Sequence, residues 1–95
     1  MASSTPAATV AVHGPLVRTE LAELMARWTR ELERFDAHVV WVDVAGLVAD
    51  AVAIDALCRL ALAVRRRGAR ARLRNASPEL VELITLAGLS GILAL

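Results

Sequence analysis

Nucleophilic chemistry needs a Ser, Thr or Cys beside a base that is itself oriented. The chain offers two histidines, His13 and His38, and one cysteine, Cys58. Both histidines fall in or at the edge of segments that read as strands, where they fit best as core or edge residues. Cys58 lies mid-helix between Leu57 and Arg59 with no histidine near it in sequence, and reads as a small apolar packing residue. Asp43 and Asp50 lie near the C-terminal end of an expected parallel strand, where α/β sheets place their ligands. They are suited to a cation, yet nothing adjacent completes a ligand set, so no metal site is expected. The five glycines are scattered as punctuation, and there is no Walker, GxGxxG, HExxH or CxxC pattern. The residue types point away from an enzyme and away from a cofactor.

Arg65 to Arg74 holds six arginines in ten residues, which raises polyanion binding. Three of them stand at an expected helix C-terminus and three on the exposed side of an expected strand, so both groups have a structural explanation. Eleven Arg, no Lys and ten acids leave the whole chain at +1. Residues 1–50 carry four Arg and seven acids (−3), whereas 51–95 carry seven Arg and three acids (+4). With two Trp and one Phe, the chain also lacks the aromatics of a single-strand platform. A nucleic-acid partner is not expected.

Ninety-five residues make one domain, and 57% hydrophobic content with a mean hydropathy of +0.53 makes it a folded one. Nineteen alanines and few aromatics imply a core of Leu, Val and Ala. One cysteine excludes an internal disulfide, and the opening MASSTPAATV lacks the basic and apolar regions of a signal peptide. The late uncharged stretch Leu83–Leu95 has 13 residues, short of the roughly 20 that span a membrane. The expectation is a cytoplasmic protein without direct membrane insertion.

The elements that must position these residues follow from periodicity and punctuation. Residues 1–8 read as a flexible tail and 9–95 as the domain. Thr9–His13 reads as a short strand stopped by Gly14-Pro15. Thr19 is placed to cap a helix over about Glu20–Phe35, with Leu21, Leu24, Met25, Trp28, Leu32 and Phe35 on one face. The run His38–Val44 is continuously β-branched or aromatic, the pattern of a strand covered on both faces, with Trp41 inside. Asp50 caps a helix over about Ala51–Arg67, ended by Gly68, with Arg65-Arg66-Arg67 facing the negative end of its dipole. Arg70–Arg74 alternates polar and apolar, as a strand nearer the sheet edge does. Ser77-Pro78 opens a helix that runs to about Ala87 and stops at Gly88. Leu89–Leu95 packs either as a turn or as a final edge strand. The order β-α-β-α-β-α with short connections implies a mostly parallel sheet with helices packed on it.

In Asp50–Val64, Asp55 and Arg59 are the only polar residues after the cap, four apart in the favourable acid-before-base order. Ala51, Val52, Ala53, Ile54 and Ala56 spread apolar atoms around the first turns. A helix packed on a sheet needs only one apolar stripe. Either neighbouring helices cover the surplus, or the N-terminal end of this helix is a partner-binding surface.

Val42-Asp-Val-Ala-Gly-Leu-Val-Ala-Asp50, the helix and Arg-rich turn ending at Gly68, the next strand, and Asn75-Ala-Ser-Pro-Glu-Leu-Val-Glu-Leu-Ile-Thr-Leu-Ala-Gly-Leu89 together resemble a STAS domain, the family of sulfate transporter and anti-sigma factor antagonist modules. The resemblance implies the fold just described and a non-catalytic, protein-binding role in signalling or transcription. It also implies that a D-S-S-G element, whose second Ser is phosphorylated by an anti-sigma kinase, falls on Asp50-Ala51-Val52-Ala53. Here both hydroxyls and the glycine are gone, so no phosphorylation site is expected. Partner binding is then expected at Asp43, Asp50, Ala51, Val52, Ala53 and Asp55. The resemblance implies an anti-sigma factor or kinase-like partner. Alternatively the chain is a regulatory subunit of a lipid-type ABC transport complex, or a small-ligand or nucleotide sensor. A homodimer is compatible with all three.

Overall fold

The computed structural model describes residues 7–34 and 36–94. Its order is β1 (Ala7–Ala11), a 3-10 turn (Arg18–Glu20), α1 (Leu21–Glu33), β2 (Val39–Asp43), α2 (Ala51–Arg66), β3 (Arg70–Arg74) and α3 (Pro78–Leu86). The strands form one parallel sheet in the order β1-β2-β3, with Val10, Val42 and Leu73 in one row. This is the expected α/β architecture, with helices filling every crossover.

β1 begins at Ala7 and ends at Ala11, two residues earlier than the Thr9–His13 expected. Pairing with β2 draws in Ala7 and Ala8, whose own strand preference is weak. The rest of the expected tail, and Phe35, lie outside the described residues. Thr19 does not cap α1: it sits inside the 3-10 turn, and Glu20 takes the cap position without a side-chain bond. The Glu20 and Leu21 amides donate to the Val17 and Arg18 carbonyls, so the backbone itself does the work expected of Thr19.

The other helix ends follow the sequence signals. Asp50 and Ser77 accept from the amides three residues on, and Pro78 opens α3. At the end of α2 the Gly68 amide bonds the Arg65 carbonyl at 2.9 Å and the Ala69 amide bonds Val64 at 3.2 Å. That paired closure needs a left-handed residue, supplied by Gly68 at φ +78°. Gly88 closes α3 in the same way.

The core lies on one face of the sheet. Ala8, Val10, Val40, Val42, Ala71 and Leu73 point toward it and meet Trp28 and Leu32 of α1, the α2 stripe Ala53, Ala56, Leu57, Leu60, Ala61 and Val64, and Leu80 and Ile84 of α3. The opposite face carries Thr9, Val39, Trp41, Asp43, Arg70, Arg72 and Arg74, none of them fully buried. The continuous run in β2 therefore does not mark a strand covered twice, and Trp41 is half-buried on the outer face. It is screened by Arg72 and Arg74, whose guanidinium carbons lie 5.0 and 4.7 Å from the ring centroid. The final segment is a series of turns that returns one bridge to the sheet, Ala94 beside Arg72, and seats Leu93 in the core.

Two substitutions test this account by urea unfolding. Leu57→Ala should lower the unfolding free energy by about 2–5 kcal/mol, because its site is enclosed on all sides. Gly68→Ala should cost about 1–2 kcal/mol through backbone strain alone, since nothing lies within 4 Å of an added Cβ. An unchanged midpoint for either variant would contradict the packing or the closure.

Candidate functional site

The loops that leave the C-terminal ends of the three strands are tied to one another. The Gly14 amide donates to the Gly46 carbonyl at 3.0 Å, and the Val48 amide donates to the Gly14 carbonyl at 3.1 Å. Gly14 and Gly46 both adopt positive φ, +64° and +78°, which lets the two loops run side by side. Leu47 is buried between them and the core, while Val48 and Val17 are left 46% and 49% exposed.

Asp43 fastens the third loop. Its Oδ1 accepts from the Ala45 amide at 3.0 Å and from Asn75 Nδ2 at 3.2 Å. Asn75 holds φ +62°, a left-handed conformation that Asn tolerates better than most residues. The Ala45 amide first, then Asn75, hold the Asp43 carboxyl below its ordinary value; nearby Arg74 and His13 add to the same shift. His13 is exposed rather than a strand filler, with Nδ1 3.3 Å from the Ala45 carbonyl oxygen.

At the mouth of α2, Asp50 is extended, and its Oδ1 takes the Ala53 amide at 2.8 Å. A carboxylate here also complements the positive end of the helix dipole. Ala51 is exposed, and Val52 is half-buried against the edge of the core. Ala53, expected among the partner-facing residues, is fully buried, because its position falls on the stripe that meets the sheet. Asp55 is bound within the chain: Arg59 Nε lies 2.8 Å from Oδ1 and Arg18 Nη1 2.8 Å from Oδ2. The hydrogen bond from Arg59 is the main reason its carboxyl sits below the ordinary value, with Arg18 adding to it. These pairs are solvated, so they orient the 3-10 turn against α2 more than they stabilise the fold.

The structure thus brings Asp50, Ala51, Val52 and Asp55 together on the first turns of α2, and assigns Asp43 to the loop fastening. Arg18, Asn75, Val17 and Val48 were not among the expected site residues. Asn75 had one readable signal, its place directly after a strand where a turn residue is needed. Cys58 is half-buried. Among the described residues, no three of His, Cys, Asp and Glu gather closely enough to hold a metal ion, and no helix is long and apolar enough to cross a membrane.

A family model of the STAS domain matches residues 2–95, and the chain belongs to that family. Among solved structures it is similar to the anti-sigma factor antagonist SpoIIAA in its unphosphorylated form, with a TM-score of 0.70, 13% sequence identity, and coverage of 98% of this chain and 82% of that one. At this identity the likeness is one of fold. A search of the curated proteins finds no significant match.

Both depressed carboxyls carry a pH dependence of known sign. A group whose folded pKa lies below the ordinary 3.8 contributes stability that is fully present above that value and is lost as pH falls through the folded pKa. Asp43→Asn and Asp55→Asn should therefore each flatten the loss of stability below about pH 4. Unfolding midpoints measured from pH 2 to 6 check this; wild-type slopes in both variants would remove the assigned bonds.

Proposed function

We propose that this STAS domain is a non-catalytic interaction module that regulates or scaffolds a protein partner through the mouth of α2, without a phosphorylation switch there. The observation that carries the reading is the composition of that mouth. Exposed Ala51 and half-buried Val52 stand at its opening, and the solvent-exposed Val17 and Val48 sit on the two adjoining loops. Apolar side chains left open beside a rigid helix end suit docking rather than turnover. SpoIIAA is an anti-sigma factor antagonist, which supports a protein as the partner, of anti-sigma factor or kinase-like type.

Phosphorylation adds about −1.5 to −2 charge and needs an acceptor oxygen. Ala51 and Val52 have none, so binding at this mouth is governed by the amounts of the two proteins. The module acts constitutively wherever its partner is present.

Ala51→Asp separates binding from folding. A carboxylate in the first turn favours the helix, so thermal stability should hold or rise by about 0.3–1 kcal/mol. Partner affinity should fall at least about tenfold, or ~1.4 kcal/mol, because a charge is forced into an apolar contact. A photo-cross-linker at position 51 in native cells supplies the partner, with the same group at exposed Arg30 as control. Equal capture at both positions, or undiminished binding by the Asp variant, would place the docking surface elsewhere.

A further inference from the structure

We infer that the uncovered face of the sheet, together with the groove beside β3, docks an extended acidic segment of a protein. The register puts Arg70 beside Val39, Arg72 beside Trp41 and Arg74 beside Asp43, all directed away from the helices. Alternate residues of a strand project about 6.6 Å apart, so the three guanidinium stems rise from the face at regular intervals. Arg72 and Arg74 lie over the Trp41 ring, which restrains two long side chains on an otherwise open surface. That restraint lowers the ordering cost of binding an anion.

The face is net positive: three arginines stand against one acid, Asp43, which lies beside Arg74. Both ion pairs among the described residues end on Asp55, and within that set Arg65, Arg70, Arg72 and Arg74 form none. Asp43 offsets part of that charge at the Arg74 end, where Ala45 and Asn75 hold its carboxylate, and leaves Arg70 and Arg72 without an acid beside them among the described residues. A groove of about 810 Å³ continues from the face past the start of β3, and every charged residue lining it is an arginine: Arg65, Arg70 and Arg72. Val39, Ile92 and Ala94 supply apolar wall between them.

Two features select the occupant. The outer edge of β3 is already taken, since the Leu73 amide donates to the Ala94 carbonyl at 2.7 Å and the Ala94 amide donates to Ala71 at 3.3 Å. A ligand therefore lies on the face, along β3, instead of extending the sheet. Among the described residues Trp41 is the one aromatic on the face, and guanidinium groups lie over its ring, which disfavours stacking of a base there. An extended peptide with Glu at alternate positions repeats at the same interval as the strand positions from which the three arginines rise. The aliphatic stems of its Glu side chains suit the apolar walls. The face lies away from the mouth of α2, so this inference stands or falls apart from the proposed function.

Tryptophan fluorescence of the full chain reads the binding directly, because Trp41 lies on the face while Trp28 is 2% exposed. The probe is a decapeptide alternating Glu and Ser, compared with the same composition written as one Glu block and one Ser block. The alternating peptide should bind at least tenfold more tightly, with an affinity that falls as salt rises. Arg70→Ala with Arg72→Ala should weaken it at least tenfold. Arg27→Ala with Arg30→Ala on α1, the same loss of charge, should change it less than twofold. A thymidine oligonucleotide of equal charge, or vesicles of phosphatidylserine and phosphatidylcholine, binding as tightly as the peptide would overturn the assignment. So would absence of peptide binding, or equal weakening by the α1 pair.

Discussion

The seating of α2 on the sheet is the constraint on which the other features depend. Six of its residues, Ala53, Ala56, Leu57, Leu60, Ala61 and Val64, are fully buried, and they lie on a single helical stripe. Three of the six are alanines, so the helix sits close to the strands and to α1, and a larger side chain at any of these positions would force it outward. The helix is also fixed lengthwise, by the Asp50 side chain at its start and by Gly68 at its end. With rotation and translation both determined, two consequences follow. The first turn presents Ala51 outward and Val52 at the rim, and Arg65 in the last turn emerges beside the start of β3.

What could be read from the sequence divides by range of interaction. Asp50, Ser77-Pro78, Gly68 and Gly88 act within four residues of themselves, and each ends a helix where local chemistry requires. Thr19 failed by the same logic in reverse, because a competing 3-10 turn satisfied the backbone one turn earlier. The site depended on longer reach. Arg18 meets Asp55 across 37 positions, and Asn75 meets Asp43 across 32. No spacing rule within one element reports such pairs; only the parallel register, which aligns the strand ends, brings them together. Ala53 shows the finer limit. Apolar residues on consecutive positions of a helix start look alike in sequence, and only the direction of the core separates buried Ala53 from half-buried Val52 and exposed Ala51.

The open face shows why a strand pattern can mislead. Val39, Trp41 and Val44 suit a strand buried on both sides, yet Val39 and Trp41 are only partly covered. The cover of Trp41 comes from long side chains of the next strand instead of a helix layer. Arg72 and Arg74 have apolar stems and charged tips, so they shield Trp41 while keeping the guanidinium groups in water. The alternation in Arg70–Arg74 already placed these arginines on one side. What it could not supply was the row they join, which needs the register with β2. The −3 and +4 halves of the chain thus become a spatial asymmetry, with the basic part concentrated at one edge of the sheet.

These two surfaces differ in how they respond to solution conditions, and that difference bears on regulation. In a chain with a hydroxyl at the mouth of α2, phosphate would stabilise the helix through its dipole, so a switch there must act by repelling or desolvating against the partner instead of by unfolding the domain. Without the hydroxyl, that route is closed at Ala51 and Val52, and an apolar contact is nearly indifferent to ionic strength. A row of solvated arginines is the opposite case, since its attraction for carboxylates falls off within a Debye length of about 8–10 Å. If both surfaces are engaged by one partner, the apolar mouth sets the persistence of the complex and the basic face sets its rate of formation and its sensitivity to salt. Modulation would then fall on the acidic segment of the partner, where adding or removing negative charge changes affinity without altering this domain at all.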